Sequence, residues 1–252
     1  MVGVVTLPEK VMAGGIEAVI MRRLDRVPKI ARHLLNCAAI FGRQLDMSII
    51  ENLWKAGDYT FDLNTWLTLC NEAAVLEIHD ERWQFAHDKL RESLLAQLTP
   101  EERPSLHQSV ALAIEAVYAD DVIYAEALTE YWYMAGDPIK TAQYAYIAGE
   151  QALLVGNFHG AQTVLGRGLV LLPDTGQELL QAQLLKSLGA LHWRTSDYPQ
   201  AKHFYTESAT IATRIDDKSS IAEALNGLAF VECLEDEYDQ AQAHAQIALE
   251  NA

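Results

Sequence analysis

The chain has 252 residues, of which 50% are hydrophobic, 21% charged and 8% aromatic; this excludes a disordered or collagenous chain and suits one large domain or two ordinary ones. Lys and Arg number 19 against 35 Asp and Glu, a formal charge of −16, which argues against attraction of the whole surface to nucleic acid or anionic lipid. Cys37, Cys70 and Cys233 are odd in number and far apart, so neither a disulfide framework nor a zinc module is expected, and a reducing, cytoplasmic setting fits.

The N-terminus, Met1 to Glu9, lacks a basic stretch, and no later run approaches the 18 apolar residues of a membrane span, so no signal peptide or membrane segment is expected. Pro8 suits a first helical turn, and residues 9–27 form a helix with a soft point at Gly14 and Gly15. The next helix runs from Pro28 to Phe41, with Ile30, Leu34, Leu35, Ala38 and Ala39 at helical spacing and Gly42 as its C-terminal stop. Asp46 is an expected N-cap for Met47 to Lys55, and Asp62 for Leu63 to Ala73. Around Asp80 and Glu81 the texture changes. There, Leu76 to His79 and Arg82 to Phe85 alternate apolar with polar residues, as in a β-hairpin. Three short helices followed by a hairpin outline a winged helix. Helices resume over Ala86–Leu98 and Ser105–Tyr118, with Pro100 and Pro104 punctuating the gap.

The charge is uneven: residues 1–120 carry a net −5 and residues 121–252 a net −11. The acidic half is also repetitive. After an irregular hairpin, with a helix near Ile123 to Met134, a turn at Ala135–Pro138 and a second helix from Ile139, three marks recur every 40 residues. They are Gly149, Gly189 and Ala229; Phe158, Tyr198 and Tyr238; and Ala161, Ala201 and Ala241, while Ala142 of the irregular unit is one residue out of register. Each step reads as a helix with a small residue, a short polar turn, an aromatic residue and a second helix. This resembles the tetratricopeptide pattern, in which the small residue and the Ala permit close helix approach and the aromatic fills the groove. Pro173 falls where that family often stops its second helix. The departure is the period, which is about 34 residues in the common unit; longer helices, such as Gln177–Arg194 and Lys218–Leu234, absorb the difference. The last run, Gln240 to Ala252, has no Gly, Pro or polar capping helix, so its apolar face is expected to be continued or covered.

One succession joins both halves: Leu7-Pro8, Arg23-Leu24-Asp25-Arg26, Ala38 to Arg43, Phe85-Ala86-His87-Asp88-Lys89-Leu90-Arg91-Glu92, Glu102-Arg103, Leu106-His107 and Ala135-Gly136-Asp137. In order and spacing it resembles the region after the ATPase module in bacterial STAND-type signalling ATPases, including those fused to transcription regulators or cyclases: a winged helix followed by tetratricopeptide-like, MalT-type repeats. The resemblance implies an upstream nucleotide-binding module in cis and a repeat face that receives a protein or small-molecule inducer. Phe85-Ala86-His87-Asp88 resembles the Met-His-Asp motif of related nucleotide-switch proteins, where the His reaches the β-phosphate of ADP. Phe85 replaces the Met and Ala86 is an added residue. On that resemblance His87 is the nucleotide sensor and Asp88 its orienting neighbour, with ATP or ADP expected only in a longer parent protein. The plain alternative is that His87 caps the helix after the hairpin.

Catalytic signals are missing. No Gly precedes a Lys, so there is no P-loop, and Gly-x-Ser-x-Gly and His-Glu-x-x-His are absent. The chain itself is expected to be neither an enzyme nor a holder of a cofactor or metal. His79-Asp80 and His87-Asp88 prompt the thought of a metal-dependent phosphohydrolase, but a hairpin turn does not gather several convergent ligands. A DNA-binding winged helix is a further rival, on the strength of Arg22, Arg23, Arg26, Lys29, Arg32 and Arg43. Those residues lie on or beside the first two helices, whereas recognition uses the last of the trio, and Asp62–Val75 holds no Lys or Arg. The remaining His residues (33, 107, 159, 192, 203 and 244) and the five Trp are scattered, as surface residues and core anchors are.

The sequence therefore leads to a mainly α protein: a winged-helix-like domain over 1–120, then a right-handed α-solenoid of tetratricopeptide-like hairpins over 121–252. Its expected role is a non-catalytic sensor fragment of a STAND-type ATPase or transcription regulator. A free-standing tetratricopeptide scaffold that only joins proteins is the competing class.

Overall fold

A computed structural model describes residues 9–119, 121–172 and 175–252. Leu7, Pro8 and Pro173 lie outside the described residues. The chain divides into two compact units, Met1–Ala119 and Asp120–Ala252.

The first unit holds α1 (Glu9–Arg26), α2 (Lys29–Phe41), α3 (Met47–Ala56), α4 (Leu63–Glu72), β1 (Leu76–His79), β2 (Arg82–Phe85), α5 (Asp88–Gln97) and α6 (Glu102–Val117). Local chemistry explains most of these boundaries. Asp46 accepts from the backbone N–H groups of Ser48 and Ile49, and Asp62 from that of Thr65, so two of the donors that a helix start leaves unpaired are met at α3 and one at α4. Asp80 and Glu81 both take positive φ, 48° and 62°, which is the paired left-handed turn that matches strand twist. The hairpin then closes with Leu76 opposite Phe85 and Ile78 opposite Trp83. A third extended piece, absent from the sequence reading, lies along β2: the Leu45 N–H donates to Trp83 O and the Phe85 N–H to Arg43 O, at 2.8 and 3.0 Å.

Three expectations are corrected. Gly14 and Gly15 do not soften α1, which runs unbroken from Glu9 to Arg26. Gly42 ends α2 in an extended conformation, φ 163°, a geometry open to any residue; α2 stops because the chain must turn into the strand-like segment beside β2. Pro104 does not precede α6 but sits in its first turn, where a missing N–H costs no helical hydrogen bond.

The core of this unit gathers Leu24, Val27, Leu34, Leu35, Ile49, Ile50, Trp66, Leu76, Phe85, Leu90 and Ile114, all essentially closed to solvent. Trp66 is buried with its polar edge satisfied, Nε1 donating to Ala31 O at 3.0 Å. Tyr118, just past α6, donates to Asp46 Oδ2 at 2.5 Å, which ties the end of α6 to the start of α3.

The second unit opens with a 3₁₀ turn (Val122–Tyr124) and continues as α7 (Ala125–Ala135), α8 (Pro138–Leu154), α9 (Phe158–Val170), α10 (Glu178–Arg194), α11 (Tyr198–Arg214), α12 (Lys218–Leu234) and α13 (Tyr238–Asn251). The 40-residue period has a simple origin: α10, α11 and α12 are each 17 residues long, joined by three-residue turns. α9 has only 13 residues, and the longer segment 171–177 restores the period. Each tight turn carries one left-handed residue, at Gly136, Gly156, Ser196, Asp216 or Asp236. Asp137, Asn157, Asp197 and Asp217 then cap the next helix through the backbone N–H three residues on.

The recurrent small residues sit at close helix crossings. A methyl group on Gly149 would collide with Leu165, and one on Gly189 or Gly227 would strike the ring of Tyr205. Ala161, Ala201 and Ala241 are buried as the pattern expects. Ala142 is buried too, and the register position three residues after the helix start is taken by Thr141, also buried, with Oγ1 donating to Asp137 O at 2.6 Å. One aromatic departs from expectation. Tyr238 does not fill a groove; it is 62% exposed, and its hydroxyl donates to Asp236.

Candidate functional site

Two places were singled out by the sequence: His87 with Asp88, and the face of the repeats.

His87 is the last extended residue before α5, φ −154° and ψ 141°. Its Nδ1 accepts from the Lys89 N–H at 3.1 Å, so the side chain caps the helix. Accepting at Nδ1 leaves the neutral ring's proton on Nε2. His87 is exposed, and Nε2 has no hydrogen bond among the described residues. The site thus offers one oriented N–H donor to a ligand. Asp88 does not orient that ring: it starts α5 and faces Arg43, whose NH1 lies 3.2 Å from Oδ2. This partnership was not legible in the sequence, because the contact joins residues 45 positions apart.

Two more arginines of the basic cluster that includes Arg43 are used inside their own unit. Arg23 donates to Ala74 O, and Arg32 to Leu24 O, Val27 O and Asp25. These carbonyls lie in or just beyond the last turns of α1 and α4, where helices leave acceptors short of partners. α4 carries no Lys or Arg, and nothing in it favours phosphates. His79 and Asp80 pair at 3.4 Å on the hairpin tip, with side chains 64% and 90% exposed. Among the described residues no group of three His, Cys, Asp or Glu could hold a metal ion.

In the repeats α8 packs on α10 and α10 on α12, beyond the contacts between sequential helices. Along this layer side chains meet at a constant separation of 37 positions. Ser187 donates to Glu150, Lys186 Nζ lies 2.7 Å from Glu223, and the rings of Trp193 and Phe230 meet edge to face at 5.1 Å. Thirty-seven is the period of 40 less one helical turn of about 3 to 4 residues, so the signal was present in the sequence but needed the helix stagger to be read. Arg194 reaches back to Leu153 O at 2.6 Å.

Burial alone would lower the Lys186 ammonium's pKa. The Glu223 hydrogen bond, with Tyr146, Glu223 and Glu150 close by, raises it above the usual lysine range. The layer is therefore a mixed surface with local ion pairing and exposed apolar groups, Leu154, Phe230 and Leu234. Three of the other histidines have side-chain partners: His33 meets the Tyr59 hydroxyl at 2.7 Å, His192 stacks on Phe204 and faces Asp197, and His244 meets the buried Glu232 at 2.8 Å.

No helix among the described residues is long and apolar enough to cross a membrane. The three thiols are free, Cys37 and Cys70 buried and Cys233 exposed.

Comparison with known proteins bears on both units. Residues 178–252 match the tetratricopeptide repeat family. No curated protein matches the sequence. Among solved structures, BtubC from P. vanneervenii is similar over 89% of this chain and 91% of its own, at 14% identity and a TM-score of 0.47. The Signal Transduction ATPase with Numerous Domains protein with a tetratricopeptide repeat sensor from Pyrococcus horikoshii is similar over 99% of this chain, at 13% identity and a TM-score of 0.50. The match spans 41% of that longer protein. At this identity the likeness is one of fold: a mainly helical chain with a small two-stranded sheet and tetratricopeptide-like repeats.

Proposed function

We propose that this chain is the sensing and coupling part of a STAND-type signalling ATPase. On this reading residues 1–120 are a winged-helix-like coupling domain, and residues 121–252 are a right-handed array of tetratricopeptide-like hairpins that receives a protein or a small inducer. The observation that carries the reading is the fold likeness over 99% of the chain, both units included, to a STAND protein with a repeat sensor. The layer α8–α10–α12, with its exposed Leu154, Phe230 and Leu234, supplies the receiving surface. An inducer acts by binding one arrangement of the upstream nucleotide module better than another, because a ligand shifts an equilibrium only through differential affinity.

His87 is the residue proposed to sense nucleotide, its Nε2–H donating to a phosphate oxygen. His87→Ser separates the two roles of the side chain, since a serine hydroxyl still caps α5 but cannot reach as an imidazole does. In the complete natural protein His87→Ser is expected to weaken ADP binding roughly tenfold, the value of one hydrogen bond to a charged group, and to raise basal output. Unchanged ADP affinity and unchanged output would remove His87 from the mechanism.

A second reading is favoured by the family match over residues 178–252: a tetratricopeptide scaffold that joins proteins without a nucleotide. Partner binding that is the same with ADP, with ATP and without either supports the scaffold; nucleotide-dependent binding supports the switch.

A further inference from the structure

A crevice of 320 Å³ in the first unit lies between α2, α5 and α6, lined by Ile40 of α2, Arg91, Leu95 and Ala96 of α5, Leu98 just beyond it, and Arg103 and His107 of α6. Both arginines are anchored. Arg91 Nε donates to Ala39 O at 2.7 Å, while Arg103 donates through Nε to Leu98 O and through NH2 to Leu95 O, each at 3.4 Å. These carbonyls are at or beside the ends of α2 and α5, where helices leave acceptors unmet, so part of each side chain has a structural task.

That task does not exhaust the guanidinium groups. Each has five N–H donors; Arg91 commits one and Arg103 two, and their remaining donors have no hydrogen-bond partner among the described residues. No carboxylate lines the crevice. Two full positive charges outweigh the two helix ends, each equivalent to about half a negative charge. The excess is notable in a chain whose formal charge is −16. Tethering through the backbone also holds both forks in place before any ligand arrives, which lowers the entropy lost on binding. Apart from His107, the remaining wall is apolar, from Ile40, Leu95, Ala96 and Leu98.

Planar guanidinium forks match a phosphate's oxygens, and an apolar wall favours a ligand with a hydrocarbon part. We propose that this crevice binds a small organic phosphate, the dianion held by Arg91 and Arg103 and the apolar body against Ile40, Leu95 and Leu98. The proposal is independent of the nucleotide-sensing role of His87.

Calorimetric titration with phenyl phosphate and with inorganic phosphate, at ionic strength held constant with sodium chloride, tests it. Phenyl phosphate is expected to bind roughly tenfold more tightly than inorganic phosphate, through apolar surface covered by the crevice. Arg103→Gln, which removes one exposed fork, is expected to weaken both by roughly tenfold or more. Arg103→Lys keeps the charge without the fork and is expected to fall between; it also serves if Arg103→Gln fails to fold. Absence of saturable phenyl phosphate binding up to about 10 mM, the weak end of the affinity scale, overturns the proposal, as does equal binding by the wild type and the Arg103 variants. A phosphoserine peptide that binds more tightly than phenyl phosphate overturns the small-molecule assignment in favour of a phosphoprotein partner.

Discussion

A methyl group placed on Gly149 would sit 2.2 Å from Cδ2 and 2.4 Å from Cγ of Leu165. Leu165 is fully buried in the core shared by α8, α9 and α10, so it has no room to swing aside. The glycine is there because its hydrogen atom lets α9 approach α8.

Two effects oppose each other in Gly149→Ala. Helix propensity favours alanine by about 1 kcal/mol, whereas overpacking a core costs roughly 1–3 kcal/mol. Since the clash reaches the branched Cγ of Leu165 as well as its terminal Cδ2, the expected net result is a loss of about 1 kcal/mol. Gly166, also helical, has nothing within 4 Å of where its Cβ would stand, so Gly166→Ala is expected to stabilise by about 0.5–1 kcal/mol. Urea unfolding of both variants checks the pair; equal shifts would show that close approach at Gly149 is unimportant.

The thiols divide by burial. Desolvation pushes Cys37 and Cys70 up to about 12, so both stay protonated in the folded protein. A disulfide-exchange reagent at pH 8 is expected to modify Cys233 rapidly in the native protein and all three cysteines in denaturant. The same shift sets an alkaline limit. The unfolded chain releases these protons near the ordinary thiol value of 9.0 while the folded chain keeps them to about 12, so stability is present below that window and declines as pH rises through it. Rapid native labelling of Cys37 or Cys70 would contradict this packing.

The capping aspartates set an acid limit of opposite sign. Hydrogen bonds from the Thr65 side chain and backbone hold Asp62 below its ordinary value, and those from Ser220 do the same for Asp217. A lowered folded pKa means stability present above the ordinary aspartate range and lost as pH falls through the depressed values, because the unfolded chain takes up protons first. The double variant Asp62→Asn, Asp217→Asn keeps neutral caps at both helices and is expected to show a flatter fall of stability with acid. Thermal melts across the acid range measure it; superimposable profiles for variant and wild type would place the acid response elsewhere.

Much of the local structure was legible because it depends on neighbours in the chain. Asp46 and Asp62 announce α3 and α4 because a cap bonds the backbone two or three residues on. Leu76 to Phe85 announces the hairpin because alternation and a two-residue turn are themselves local. The 40-residue spacing of Gly149, Gly189 and Ala229 marks helix crossings because a repeat copies the same contact. Gly42 and Pro104 misled for the complementary reason: each punctuates a chain, but whether it lies in a left-handed cap, an extended exit or a first helical turn depends on what the next segment packs against.

The candidate sites were legible only in part. His87 could be named from its motif, yet the direction of its ring was set by the Lys89 amide, and Asp88 went to Arg43 instead. What the residues determined by themselves are the helical hairpins, their turns, their caps and the small residues at their crossings, all governed by bonds within a few positions or by an exact period. Tertiary structure alone decided that Lys186 meets Glu223, that Trp193 meets Phe230, and that Arg91 and Arg103 share one crevice. Those meetings follow from the stagger and crossing of whole helices, which side-chain volumes throughout the core select together and which no short stretch of sequence encodes.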